Sequence, residues 1–295
     1  MGASMAVLSR LGLVQRSADP IEPWEREVPC PAVSALPGPA GRPFVPRGRG
    51  DVPRAALETL CHRCGLTEPQ QLLVVPTSSR PLSPRRCAVT PTHVLGLGDR
   101  AVGLWVSTAV PQLVGLLPLP EIGAIRDRRI RSYGRLSVHS AVAAVNLRYD
   151  LAARDPLTAA LRGLRRRLSG PARPLPAGVE VSPERLPVGW PDIRRWPILD
   201  LEDQDGTTGS SVDLLPARHR GSRRALAIVT PFELVLVLDV APAGSEPGLE
   251  AVYLARARIG SIAADRERVA IESEGVVVEL TVGEELAARL AALDP

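Results

Sequence analysis

Ile122-Gly123-Ala124-Ile125 recurs later in the chain as Ile259-Gly260-Ser261-Ile262. In both places, apolar runs with the spacing of strands lie on either side of the motif, and leucines with helical spacing follow them. The first copy of this pattern runs from Val94 to Leu168, and the second runs from Ala225 to Leu293. An internal repeat of this kind predicts two copies of one scaffold.

The composition sets the size and the chemistry of the core. The 295 residues are enough for two compact domains. Hydrophobic residues make up 45% of the chain and aromatic residues only 3%, so Val, Leu, Ile and Ala must build the core. All 36 basic residues are arginine. Together with abundant Ala, Gly and Pro this indicates a GC-rich coding genome, which weakens any argument from arginine clusters alone.

The chain has no sequence feature of an exported or membrane protein. No apolar run approaches the about 20 residues that a membrane-spanning helix needs. The first fourteen residues lack the pattern of a signal peptide. Four cysteines in a chain of this length do not indicate a disulfide framework, which is typical of small secreted domains. We therefore expect a soluble, cytoplasmic protein.

Composition divides the chain into four segments. Residues 1–52 are rich in Pro, Gly and Arg and are predicted to be disordered, with Trp24 as a docking point. Residues 53–169 form the first predicted domain, and residues 170–195 form a Pro-rich linker. Residues 196–295 form the second predicted domain, whose opening strands the pattern leaves undefined.

Local signals place the elements at the start of the first domain. Pro53 to Cys64 has the spacing of a short helix, which Gly65 ends. Gln71 to Val75 is a predicted strand, and a polar loop is predicted from there to Arg86. Gly98-Asp99-Arg100 has the chemistry of a hairpin turn between two apolar runs.

Periodicity places the elements at the end of each copy. Alternation with a period of two predicts a half-buried strand at Val145, Leu147 and Tyr149. Helical spacing predicts one apolar helix face at Leu157, Leu161, Leu164 and Leu168. The second copy ends with the same spacing at Leu286, Leu290 and Leu293.

The order of these elements resembles that of bacterial pleckstrin-homology-like (PH-like) and GRAM-like domains. Three stretches carry the resemblance: Leu97-Gly98-Asp99-Arg100-Ala101-Val102, Leu117-Pro118-Leu119-Pro120-Glu121-Ile122-Gly123-Ala124-Ile125, and the helix from Pro156 to Leu168. The second copy keeps the strand order, the Ile259–Ile262 motif and the helix, but has Thr230-Pro231-Phe232 in place of the Asp-Arg turn.

This resemblance implies a mainly β fold with some helix. Each of two PH-like domains would be a bent, seven-stranded antiparallel sheet or barrel capped by a C-terminal helix. Domains of this kind bind lipid headgroups, peptides or other proteins, and few of them are enzymes.

Charge differs sharply between the two copies. Residues 53–169 contain 17 arginines and 7 acidic residues, whereas residues 223–295 contain 7 arginines and 12 acidic residues. A basic surface steers anionic partners over long range. This difference in charge therefore predicts an anionic partner or surface for the first domain, or docking of the acidic domain onto the basic one.

Two groups of arginines are candidate binding sites. The leading group consists of Arg126, Arg128, Arg129, Arg131 and Arg135. The second group follows from the resemblance, because in this fold class the loop between the first two strands often holds the anionic ligand. Here that loop would carry Arg80, Arg85 and Arg86. A solvated face without a ligand is the alternative for the leading group.

Cys61-His62-Arg63-Cys64 is the motif that most invites metal or redox chemistry. A structural zinc needs four ligands, and no second pair of Cys or His accompanies this one, while Cys30 and Cys87 are isolated. A thioredoxin-type site would need a preceding strand and a longer following helix. We therefore predict incidental cysteines, with no metal and no cofactor.

No catalytic residues are assigned, because no histidine has a carboxylate at strand or helix spacing and no Ser-His-Asp set is marked. The first hypothesis is a non-enzymatic adaptor or scaffold that binds a protein or an anionic surface through its basic domain. The second is an accessory protein or enzyme with a site between the domains; an interface filled with Leu and Val would count against it. The third is a nucleic-acid-binding protein, which the scarcity of base-stacking aromatics in the basic region disfavours.

Overall fold

The computed structural model describes residues 25–29, 42–67, 71–83, 85–108, 112–130, 133–151, 154–173, 213–219, 223–239, 248–266, 268–282 and 284–293. Trp24, Arg131, most of the 170–195 linker and residues 196–212 lie outside these ranges. The predictions made for them therefore concern residues that the structure does not describe.

The described residues are mainly strand. In chain order the strands are β1 (Arg26–Pro29), β2 (Leu72–Val75), β3 (Ser78–Ser83), β4 (Arg86–Thr90), β5 (His93–Leu97), β6 (Ala101–Val106), β7 (Gln112–Pro118), β8 (Ala124–Ile130), β9 (Tyr133–His139), β10 (Ala144–Asp150), β11 (Asp213–His219), β12 (Arg223–Val229), β13 (Glu233–Asp239), β14 (Gly248–Ala255), β15 (Ile259–Asp265), β16 (Arg268–Ser273) and β17 (Val276–Thr281). The α-helices are α1 (Arg54–Leu60), α2 (Arg154–Leu168) and α3 (Glu284–Ala291).

These strands form four antiparallel sheets within the described residues. The largest has seven strands in the order β10-β9-β8-β14-β13-β12-β11. A four-stranded sheet has the order β2-β5-β6-β7, and two three-stranded sheets have the orders β1-β4-β3 and β15-β16-β17. The prediction of a mainly β chain with antiparallel sheets is confirmed.

The order of elements repeats once along the chain. The first half (residues 42–173) has β2 and β5–β7, a 3₁₀ turn at Leu119–Glu121, β8–β10 and α2. The second half (residues 213–293) has β11–β14, a 3₁₀ turn at Arg256–Arg258, β15–β17 and α3. Each isoleucine-glycine motif comes directly after a 3₁₀ turn, so the repeat seen in the sequence is a repeat of secondary structure.

The region before the first hairpin differs from the sequence prediction. The predicted polar loop up to Arg86 is instead the β3–β4 hairpin, and β1 pairs with the other edge of β4. Residues 26–29 lie in the segment predicted to be disordered. In the same segment, the backbone N–H of Phe44 donates to the carbonyl of Val74 at 2.9 Å. Cys87 in β4, expected to be isolated, is disulfide-bonded.

The helix predicted near residue 53 is confirmed. α1 continues into a π-helical turn at Cys61–Gly65, which ends at Gly65 with a φ of +72°. Only glycine adopts such a left-handed conformation without steric cost. The buried face of this segment packs on one side of the four-stranded sheet, where it forms a cluster with Val74, Val94 and Trp105.

The seven-stranded sheet lies against two cores. One face of β8–β10 and β12–β14 packs against α2 and the four-stranded sheet, in a core that takes residues from both halves. The other face of β12, β13 and β14 packs against β15–β17 and α3 in a second core. One part of the sheet is thus covered on both faces, and the β8–β10 part has a large core on one face.

The two halves join through backbone pairing of β8 with β14. The pairing runs from Ile130 opposite Gly248 to Ile125 opposite Tyr253. Because β8 belongs to the first half and β14 to the second, the seven-stranded sheet is continuous across the chain. The predicted contact between the basic and acidic halves is therefore a shared sheet.

A buried ion pair lies at this junction. Arg165 in α2 is 1% exposed and Glu233 in β13 is 3% exposed. The Arg165 Nε donates to Glu233 Oε1 at 3.1 Å, and its guanidinium lies 4.2 Å from the centroid of the Tyr253 ring. Arg258 adds to the junction by donating to the carbonyls of Leu168 at 3.1 Å and Leu119 at 2.7 Å.

Removing one partner of the ion pair should weaken the junction strongly. Glu233→Ala leaves the Arg165 charge buried without its carboxylate, and we expect a loss of about 3–5 kcal/mol in the free energy of unfolding. Arg165→Met combined with Glu233→Leu removes both charges and should recover most of this loss. Denaturant unfolding followed by circular dichroism measures both. If the double variant instead lost as much free energy of unfolding as the two single changes added together, the buried ion pair would not be the cause of the loss.

Candidate functional site

Strands β8, β9 and β10 have one buried face and one polar face. Successive side chains of a strand point to opposite faces of its sheet. Ile125, Leu136, Val138, Val145 and Leu147 lie in the core. The alternate positions of the same strands therefore form the opposite face, and arginine recurs there.

Four arginines make up this surface, which we call the arginine face: Arg126 and Arg128 in β8, Arg135 in β9 and Arg148 in β10. Arg128 lies opposite Arg135, and Arg135 lies opposite Arg148. Directly opposite residues in antiparallel strands have Cβ atoms about 4.5–5.5 Å apart. Three arginines therefore stand in one row across three adjacent strands.

Positive charge exceeds negative charge on the arginine face. Arg126 pairs with Glu250 of β14 at 3.5 Å, and Glu250 also stands opposite Arg128 in register. Asp150 at the end of β10 pairs with Arg42 at 3.5 Å. The Arg148 guanidinium stacks 4.0 Å from the centroid of the Tyr133 ring. Like charges directly opposite in a sheet are destabilising, so an anion held by the row would relieve the repulsion within it.

Several polar groups lie between and beneath the arginines of this face. Among the described residues, the Nε atoms of Arg126 and Arg128 and the Nε2 of His139 are buried without a hydrogen-bond partner. Ser137 and Asn146 lie between the arginines and the histidine, and the Ser137 hydroxyl donates to Asn146 Oδ1 at 2.7 Å. Buried polar atoms normally have partners, so these three atoms are exceptions to that rule.

His139 responds to the field of the arginine face. Its pKa is lowered from 6.5 to about 4, first by burial and then by the positive charges of Arg126 and Arg135. Both effects disfavour the charged imidazolium. The imidazole is therefore neutral at pH 7.

Arg129 does not belong to this face, although the sequence grouped it with the other arginines. It is 3% exposed on the opposite face of β8, where its Nε donates to Asp127 at 3.0 Å. The Tyr149 hydroxyl also donates to Asp127, and the absence of a side chain at Gly134 leaves room for the Tyr149 ring. Burial is the largest effect and lowers the pKa of Arg129, but Asp127, Tyr149 and Tyr253 together outweigh it and the pKa is raised. Arg129 is part of the core.

The loop predicted for the second group is a β-hairpin, and only one of its three arginines lies in a turn. Arg80 is in β3, Arg85 lies exposed at the turn before β4, and Arg86 begins β4. Arg86 already pairs with Glu27 of β1 at 2.8 Å. Arg131, from the leading group, lies outside the described residues. Arg148 was missed by the sequence prediction, although the alternation of Val145, Leu147 and Tyr149 places it on the outer face.

The Cys61 and Cys64 thiols are both free. Cys61 is exposed and Cys64 is buried, and the pKa of Cys64 is raised to about 11, first by burial and then by Cys61. Cys64 is therefore a neutral thiol at pH 7. In the described part of the chain, no group of three or more His, Cys, Asp or Glu side chains could hold a metal ion.

The junction between the halves is packed with apolar side chains. Leu161 and Leu164 of α2 share a core with Val235 and Val237 of β13. The charged side chains at this junction, Arg165 and Glu233, are bonded to each other. An interface filled with leucine and valine leaves no polar pocket for a substrate, so this packing counts against an active site between the halves.

Comparisons of the chain with family models, with curated proteins and with solved structures found no match. Among the described residues, no helix has the length and apolar character needed to cross a membrane.

The pKa of His139 should report the charge of the arginine face. Replacing Arg126 or Arg135 with Gln removes a positive charge, so the pKa should rise from about 4 toward 6.5. Titration of the imidazole signals by NMR measures the shift. His93 is an internal control in the same spectra, because burial is the largest cause of its lowered pKa. Equal shifts at both histidines would contradict this assignment.

Proposed function

We propose that this chain is a binding protein with two PH-like units, whose arginine face takes an anionic partner. The order of four strands, 3₁₀ turn, three strands and helix in each half supports the PH-like assignment. The helix in each half contributes its leucines to a core. The non-enzymatic role rests on the packed junction and on the position of the polar residues on an open sheet face.

The row of Arg128, Arg135 and Arg148 carries the proposal. Like charges directly opposite one another in adjacent strands repel. An anion that bridges the row would offset this repulsion with charge-assisted hydrogen bonds, which are the stronger kind. Arg126 in β8 adds a fourth guanidinium to the same face.

The partner that we propose is a protein segment rich in carboxylates. Glu250 supplies the precedent, because this carboxylate of the chain itself already binds Arg126 at the margin of the face. Guanidinium groups match carboxylates in a planar, two-pronged geometry. A row of them on a flat sheet suits a series of carboxylates on a partner surface.

The cytoplasmic location stays a prediction. The disulfide at Cys87 bears against it, because disulfides are rare in reducing compartments. The binding proposal does not depend on the compartment, since arginine is charged at any physiological pH.

Removal of two charges from the row should weaken binding to an acidic polypeptide. We expect Arg128→Gln with Arg135→Gln to lower the affinity for fluorescently labelled poly-glutamate by about tenfold or more, since each charge-assisted bond is worth about 1.5–3 kcal/mol. Fluorescence anisotropy at low and physiological salt measures the change. The matched control, Arg49→Gln with Arg54→Gln, removes two exposed arginines elsewhere and should bind as the unaltered chain does.

Parallel measurements separate the other partner classes. Vesicles of phosphatidylcholine with and without phosphatidylserine test a membrane surface by sedimentation, and duplex DNA tests nucleic acid by gel shift. Binding that needs the arginine face but occurs only with phosphatidylserine vesicles or DNA would overturn the choice of an acidic protein. Equal loss of binding in the control variant would overturn the site.

A further inference from the structure

The junction between the halves uses one pair of strand edges, and the equivalent pair has no pairing strand within the part of the chain that the structure describes. β14 is the strand before the 3₁₀ turn of the second half, and it pairs with β8, the strand after the 3₁₀ turn of the first half. Because the order of elements repeats, each of these strands has a counterpart in the other half. The counterpart of β14 is β7, before the first 3₁₀ turn, and the counterpart of β8 is β15, after the second. Within the described residues, β7 pairs only with β6 and β15 pairs only with β16.

The side chains of the two open edges suit strand pairing. β7 has the sequence Gln-Leu-Val-Gly-Leu-Leu-Pro, and Leu116 in it is 37% exposed. β15 exposes the small residues Gly260, Ser261, Ala263 and Ala264 before Asp265. Natural edge strands usually carry charges, prolines or a cover that prevents such pairing. β7 carries no charge and has its proline, Pro118, only at its last position, and charge comes only at the end of β15.

A helix lies close to both the occupied edge and its counterpart. In the first half, β14 is paired with β8 and also contacts α2. In the second half, α3 contacts β15 itself, which is the counterpart of β8. An incoming strand would therefore meet a strand edge with a helix nearby, as β14 does within the chain.

We propose that β7 of one chain pairs with β15 of a second copy of the same chain. The partner is a second copy because the chain itself contains the strand that matches this edge. Each copy offers one β7 and one β15, so the contact is head-to-tail and can continue from copy to copy. The inference does not rest on the proposed anion binding, because neither strand belongs to the arginine face.

The junction within the chain also sets the register of the contact between chains. Ile122 corresponds to Ile259, so the halves are related by a shift of 137 residues. Tyr253 lies opposite Ile125 in the junction. The same shift places Leu116 of one copy opposite Ile262 of the next, and both are apolar residues that are incompletely buried in the chain.

Disulfide cross-linking tests this register. In a Cys61→Ala background, the full chain carrying both Leu116→Cys and Ile262→Cys should form covalent multimers on mild oxidation. A mixture of the two single variants should stop at dimers, because each copy then offers one end. The control, Leu116→Cys with Val142→Cys, places the second thiol on a residue that is 89% exposed in the β9–β10 turn. It should remain largely monomeric.

Sedimentation provides a second readout without cysteines. The unaltered chain should associate with rising concentration, and Leu116→Lys, which adds a charge to the β7 edge, should weaken this association at least tenfold. An unchanged circular dichroism spectrum would show that the variant is folded. Either of two results would overturn the proposal. One is an unaltered chain that stays monomeric at every concentration, and the other is a Leu116→Cys/Val142→Cys control that cross-links as efficiently as the Leu116→Cys/Ile262→Cys variant.

Discussion

The backbone pairing of β8 with β14 is the constraint on which the rest of the structure depends. It joins the two halves in one seven-stranded sheet, with the strands of the second half between two cores. The β8–β10 strands bury one face in the shared core and carry arginines on the other. The arginine face thus follows from how the halves join. The second core covers the other face of β12–β14 and includes none of the described arginines on the outer face of β8–β10.

Arginine has two physical roles in this chain, and burial separates them. Arg129 and Arg165 are buried, each with a carboxylate, since an unpaired charge in a core would cost far more than it returns. Arg126, Arg128 and Arg135 lie on a half-exposed face where carboxylates are fewer. The first role balances charge inside the core, and the second gives a surface on which arginines outnumber carboxylates.

Much of the fold could be predicted because periodicity and turn chemistry are local. The alternation in β10, the leucine spacing in α2 and the end of the first helix at Gly65 all follow from neighbours in sequence. The β3–β4 hairpin could not be predicted, because it contains a proline and many polar residues. Its pairing with β1, more than fifty residues away, is a tertiary contact.

The sequence by itself determined that the chain repeats, that its first half is basic, and that arginines cluster between Arg126 and Arg135. Those properties depend on composition and on short-range order along the chain. The tertiary structure decided which arginines share a surface: it moved Arg129 into the core and added Arg148. The physical reason is that a strand's period of two fixes opposite faces, whereas the strands packed around it decide which face is buried.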